Sequence, residues 1–321
     1  MNADARTKTR RALVILTALL STSALPLRAD LIGDGPRAYL PPPVDVNVIA
    51  MYGMQVSGNS VVATGLVSPQ IDLELETLVT QFTRTFNLAD RYAAVTVVQP
   101  HHGDLQSTIR LPNAPALNSR TSASGLGDTQ LLMTMGLHNL PPLTRQTYAE
   151  YEPGLAVGGL LRLTIPTGEY SSSEQVNLGA NRYALQIGAP ITYAVGNSLL
   201  DPNLMTFDLV PSVTFFDDND KPFGAGTLEQ SALLKLEAHV TRNFNPALWA
   251  SVDALYSYGG ETRIDGVDQS NEQSSLGLGL TLGLQLSKSL GVKVTYGNVV
   301  YRNDDGMNGD SVRITLTNTR I

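Results

Sequence analysis

Residues 276–286 read LGLGLTLGLQL. Leucines at 276, 278, 280, 282, 284 and 286 alternate with Gly277, Gly279, Thr281, Gly283 and Gln285. Successive side chains of a β-strand point to opposite faces. One face of this segment is therefore a continuous leucine ladder, and the other is small or polar. A dry sandwich core has no use for the second face, and a soluble surface has none for the first. A lipid-facing outside and a wet or polar inside satisfy both, as in a transmembrane β-barrel.

The period-two pattern recurs from residue 44 to the end. It predicts an all-β chain forming an antiparallel transmembrane barrel of about twelve strands. They fall near 44–56, 70–86, 91–103, 125–138, 150–166, 178–195, 204–216, 228–242, 247–260, 273–287, 291–302 and 310–321. Each is long enough to cross a bilayer at a tilt. Odd-numbered connections are mostly long, whereas several even-numbered ones are short turns, such as Asn87–Asp90, Asn243–Pro246 and Lys288–Leu290. This is the asymmetry of outer loops against periplasmic turns. The stretch 139–149 is long for a periplasmic turn. Phe82, Phe86 and Tyr92 flank one short turn, and Phe244 and Trp249 another, as an interfacial aromatic belt would place them.

Composition agrees. Charged residues are 16% of the 321, against about 25% in ordinary soluble domains, and no run approaches the roughly 20 apolar residues of a membrane helix. The net charge is −7 without a basic stripe, which argues against a nucleic-acid partner. The chain has no cysteine, so disulfides, thiolate metal sites and N-terminal lipidation at Cys are excluded.

Residues 1–29 read as a secretory signal peptide. Arg6, Lys8, Arg10 and Arg11 precede the apolar stretch 12–20, and small residues follow, with cleavage expected after Ala24 or Ala29. Export by the general secretory route to the bacterial outer membrane follows, with outer-membrane lipids and the barrel-assembly machinery as partners. Residues 30–43, ending in three prolines, are expected to form a periplasmic lead-in, a plug being the less favoured reading. Residues 44–321 form the barrel.

No motif points to catalysis, a cofactor or a metal. Gly125-Leu126-Gly127-Asp128 lacks the Lys and Ser/Thr of a phosphate loop. His101 and His102 are distant in sequence from His138 and His239, with no metal-ligand spacing. The acidic turns 217–220 and 303–306 are incomplete as calcium loops. No serine sits in a nucleophile elbow. The candidate functional residues are instead charged groups expected to line the lumen: Arg84, Asp128, Arg162, Arg182, Asp208, Lys235, Glu237, Asp253, Lys293 and Arg313. They read equally as a salt-bridge network or as a polar path for solutes. Mixed signs predict small, weakly selective conductance. A hydrophobic solute would then need another route, such as an opening in the wall.

Five pieces occur in a recognisable order: GLGD (125–128), PTGEY (166–170), NLGANRY (177–183), the glycines 259, 260 and 266, and YGNVVYRNDDG (296–306). In them the chain resembles the outer-membrane family described as "putative MetA-pathway of phenol degradation". The resemblance implies an outer-membrane channel or transporter, not an enzyme, for passive uptake of small solutes, aromatic or hydrophobic ones among them. It supplies no catalytic residues. The alternatives are a structural or adhesive barrel without transport and, less favoured, an outer-membrane lipid hydrolase. The chain departs from the usual barrel pattern in ending on Ile321 instead of an aromatic residue.

Overall fold

The computed structural model describes residues 33–61, 66–67, 71–109 and 119–320. The expected signal peptide and Ile321 lie outside these residues. The chain forms a closed antiparallel barrel of twelve strands, as the pattern predicts. They are β1 (Asn47–Gly58), β2 (Ile71–Leu88), β3 (Arg91–Ile109), β4 (Ser119–Gly125 and Thr129–His138), β5 (Leu155–Ile165), β6 (Ala184–Gly188 and Ile191–Val195), β7 (Met205–Phe216), β8 (Leu233–Asn245), β9 (Leu248–Gly259), β10 (Gln273–Gln285), β11 (Leu290–Arg302) and β12 (Gly309–Arg320). Each pairs with its neighbours in sequence, and β1 closes on β12 from Asn47↔Arg320 to Gly58↔Gly309. Closure leaves no edge, the condition for strands to lie in hydrocarbon.

The turns follow from local chemistry. Leu88 pairs with Arg91, and Ala89 and Asp90 between them both have positive φ, which is the primed hairpin geometry. The Asn245 side chain accepts the N–H groups of Ala247 and Leu248, closing the β8–β9 turn. Pro190 splits β6 because it has no N–H to donate, but its carbonyl still accepts from Gly158 at 2.8 Å.

Several boundaries differ from expectation. β6 begins at Ala184, six residues late, because residues 166–183 fold into the extracellular mouth. β8 begins at Leu233. Leu228–Gln230 instead pairs with Thr262–Ile264, which continues to Val267–Asp268 in a small extracellular sheet. β3 runs on to Ile109, so the β2–β3 hairpin is the longest in the barrel. The segment 139–154 is long because it carries a helical turn, Arg145–Tyr148, capped by Thr144. It lies beneath the barrel: the Leu143 carbonyl accepts the Val44 N–H at 2.8 Å, and the Leu140 carbonyl accepts that of Tyr92 at 3.0 Å.

The faces alternate as predicted. Leu278, Leu280, Leu282 and Leu284 point outward, with Leu280 61% exposed, while Thr281 and Ser275 point inward and are buried. The apolar clusters lie inside the barrel rather than between layers. The aromatic belt is only partly as expected. Phe82 and Phe244 face outward, but Tyr92 packs inward on Val44 and Ala94, and Trp249 faces the lumen. Both follow the inward parity of their strands.

An arginine at the bilayer midplane of a barrel costs about 2–4 kcal/mol. Leu280→Arg should therefore impair assembly, read as loss of the heat-modifiable folded band. Thr317→Lys, inward and half-buried beside a cavity, should assemble normally. Equal defects would contradict the assignment of faces.

Candidate functional site

The lumen is occupied. Residues 33–43 of the expected periplasmic lead-in enter the barrel and run along one wall, while 30–32 lie outside the described residues. Gly33 and Gly35 both have positive φ, and a Cβ on either would overlap Glu237 or Arg313, at 2.2 and 2.4 Å. Between them, Asp34 meets Arg162: both carboxylate oxygens lie within 2.8 Å of Nη2. The Tyr39 hydroxyl donates to the same carboxylate. The Asp34 N–H donates to Glu237 Oε2 at 3.0 Å, and Arg313 donates to the carbonyls of Gly33 and Asp34 at 3.0 and 3.3 Å. Lower down, Arg37 donates to Thr241 and Asn243 and stacks 4.4 Å from the centre of the Trp249 ring. Lys293 reaches the Pro36 carbonyl at 3.4 Å.

Most of the expected lumen residues belong to this wall. Arg162, Asp208, Lys235, Glu237, Asp253, Lys293 and Arg313 all lie at inward positions of β5, β7, β8, β9, β11 and β12. Asp253 accepts from Ser251 and Thr281, and Thr281 adjoins Thr295 at 2.9 Å. Asp208 accepts from Thr192 and Thr206. Arg84 is a correction. Its strand alternates Thr83 and Thr85 inward, so Arg84 points outward and pairs with Asp45 at 3.2 Å near the periplasmic rim. Asp128 and Arg182 are buried at the extracellular end and belong to the loop structure there.

The expected set missed His239, which bonds Asp253 at 2.8 Å and faces Glu237 at 3.5 Å. It also missed Asp34, Arg37, Tyr39, Tyr92 and Trp249. One signal was available. Six cations against four anions among the ten expected residues call for a further carboxylate, and Asp34 sits between glycines just upstream of the barrel.

The opposite wall is different in kind. The inward positions of β1–β4 carry no charged side chain among the described residues. Val56, Leu75 and Leu105 line it near the outside, Val79 and Val98 in the middle, and Ala50, Ala94 and Leu132 lower down. Against this lower wall lies a cavity of about 340 Å³, bounded by Tyr39, Leu40 and Pro41 of the N-terminal segment and floored by Leu140, Tyr151 and Leu199. Arg37 and Lys293 reach it from the charged side.

At the extracellular mouth three of the sequence motifs meet. The Asp128 carboxylate of GLGD accepts the N–H of Gly168 from PTGEY and of Ala180 from NLGANRY, both at 2.8 Å. Glu169 N–H adds a bond to the Leu126 carbonyl. Arg182 bonds Gln230 and stacks over Phe216 at 4.6 Å, and Asn181 bonds Asn219. So held, the loop lowers Val176 and Leu178 onto Val56, Leu73, Leu75 and Leu105, with Met307 from the last loop. An apolar lid thus covers the top of the uncharged wall.

Two outcomes follow from this geometry. Each bond to the Asp128 carboxylate is worth about 1.5–3 kcal/mol, so Asp128→Ala should release the 166–183 loop, seen as faster protease cleavage there in an otherwise intact barrel. Burial raises the Asp34 carboxyl, but Arg162, Tyr39 and Arg313 lower it more strongly, to about 2. A depressed carboxylate stabilises docking above its ordinary value of 3.8 and loses that contribution as pH falls through about 2. Trp249 is the single tryptophan of the chain. Its emission should change as pH falls from about 4 toward about 2, whereas an emission unchanged over that range would contradict the Asp34–Arg162 latch.

No curated protein matches the chain by sequence. Among solved structures, the COG4313 outer membrane channel from Pseudomonas putida F1 is similar at a TM-score of 0.70 and 19% identity, over 87% of this chain and 97% of that one. The translocator domain of the autotransporter NalP from Neisseria meningitidis is similar at a TM-score of 0.47 and 11% identity, over 99% and 96%. The family model described as "Putative MetA-pathway of phenol degradation" matches residues 54–311, so the chain belongs to that family of barrels.

Proposed function

We propose that the protein is a passive uptake channel of the bacterial outer membrane for small, weakly polar solutes, aromatic ones among them. On this reading it reaches the membrane by the general secretory route. The carrying observation is the uncharged wall of β1–β4, which leads from the apolar lid to the 340 Å³ cavity. A weakly polar solute sheds little hydration on such a wall, whereas an ion meets no counter-charge there. Passage along this wall needs the Val176–Leu178 lid to move, not an opening in the barrel side. The name of the similar Pseudomonas channel accords with this reading.

The hydrolase reading finds no support in the described residues. Both ring nitrogens of His239 face carboxylates, and the Ser251 hydroxyl donates to Asp253 rather than to the imidazole. The occupied lumen does favour one rival, a structural barrel that transports nothing.

The test uses intact cells, whose outer leaflet retards free diffusion of apolar compounds. Uptake of labelled phenol at limiting concentration should fall several-fold on deletion and recover with the wild-type gene. Ala50→Glu, which sets a charge on the uncharged wall, should assemble but fail to restore uptake. Uptake unchanged by deletion would leave the structural barrel.

A further inference from the structure

Among the described residues, the Asp34 carboxylate is the only charge that the N-terminal segment offers to Arg162. Its partners come from across the lumen. Arg162 stands on β5, Arg313 on β12 and Glu237 on β8, and all three converge on residues 33–34. The Arg162 and Asp34 side chains are largely shielded, at 17% and 21% exposed. Arg162 Nε is itself buried and without a hydrogen-bond partner. Removing one member of a shielded ion pair strands the other charge, which is far more costly than exchanging one partner for another. Departure of the segment alone would leave Arg162 only the more distant Glu237 carboxylate and also strip Arg313 of two carbonyl acceptors.

The segment is nevertheless attached in a way that allows exchange. Its lower end stays fixed when residues 33–39 leave: Thr85 donates to the Pro43 carbonyl and accepts from Val46, and Val44 bonds Leu143. The prolines 41–43 separate that anchor from the latch. The 340 Å³ cavity reaches Asp34 and Tyr39 from the uncharged wall. A molecule lying in it would have its apolar body against Ala94 and Leu132, with its other end directed at the latch.

We propose that Arg162 and Arg313 form a binding site for the carboxylate of a small amphipathic solute, and that Asp34 is its tethered resting occupant. The solute's carboxylate replaces Asp34 on Arg162, its apolar part lies in the cavity, and residues 33–39 swing away about the proline run. A neutral solute supplies no replacement charge, leaves the latch closed and keeps to the uncharged wall. This rests on the uptake reading and deepens it by naming a second solute class, amphipathic carboxylates, and the group that admits them to the charged side.

The experiment uses the purified full barrel in detergent micelles, with benzoate and its neutral isostere benzamide as probes. Calorimetry gives affinity, and the emission of Trp249, on which Arg37 stacks, reports the segment. In D34A, where the tethered competitor is gone, benzoate should bind at least tenfold tighter than in wild type and at least tenfold tighter than benzamide. In wild type, saturating benzoate should shift the Trp249 emission, and benzamide should not. D34A/R162M should lose the preference for benzoate, and D34A/R313Q, which keeps Arg162, should weaken it. Equal binding of benzoate and benzamide to D34A, or a preference that survives R162M in a folded barrel, would overturn the proposal. Phenol uptake in cells is a separate readout, so a failed carboxylate site and a failed channel give different results.

Discussion

Everything in this molecule follows from the closure of β1 against β12. In hydrocarbon an unpaired backbone N–H or carbonyl costs several kcal/mol, so a sheet can cross the membrane only as a ring. Once the ring is closed, each strand has one face in lipid and one in the lumen. What the lumen can do is then decided by the inward residues alone, together with whatever is folded in from the ends.

Those inward residues are divided. One side, β1–β4, carries no charge at its inward positions among the described residues, and the other, from β5 through β12, carries the ionisable groups. The division settles where the N-terminal segment lies. Its Asp34 and Arg37 need partners, and only the charged side supplies them. With the segment held there, the uncharged side keeps its cavity below and its apolar lid above. The lumen is filled asymmetrically, and the asymmetry carries the functional reading.

The barrel was legible in the sequence because alternation is a local, one-dimensional signal. The ladder 276–286 states its two faces without ambiguity, and twelve such segments gave the strand number. Arg84 shows the limit of that signal: without a clean alternation around it, its parity is fixed only by Thr83 and Thr85 and by its pairing with Asn47. The mouth was less legible for another reason. Asp128, Gly168 and Ala180 are spread over some fifty residues, and only the fold brings one carboxylate to two amides. Their motifs were visible in order while their joint purpose was not. The N-terminal segment was misplaced because three prolines read as an exposed spacer. The partners that draw residues 33–39 inward lie more than a hundred residues away in sequence.

The central claim is that the two walls of the lumen differ in accessibility, one open to small molecules and the other covered by the N-terminal segment. The chain has no cysteine of its own, so single cysteines can report on each wall. Thr134→Cys lies on the uncharged wall beside the cavity, and Ser251→Cys lies on the charged wall, where Ser251 is buried. With a small neutral thiol reagent on the assembled barrel, Thr134→Cys should be labelled readily and Ser251→Cys only slowly, with protection at 251 falling when residues 33–39 are deleted. Equal labelling at both positions, unaffected by the deletion, would contradict the account.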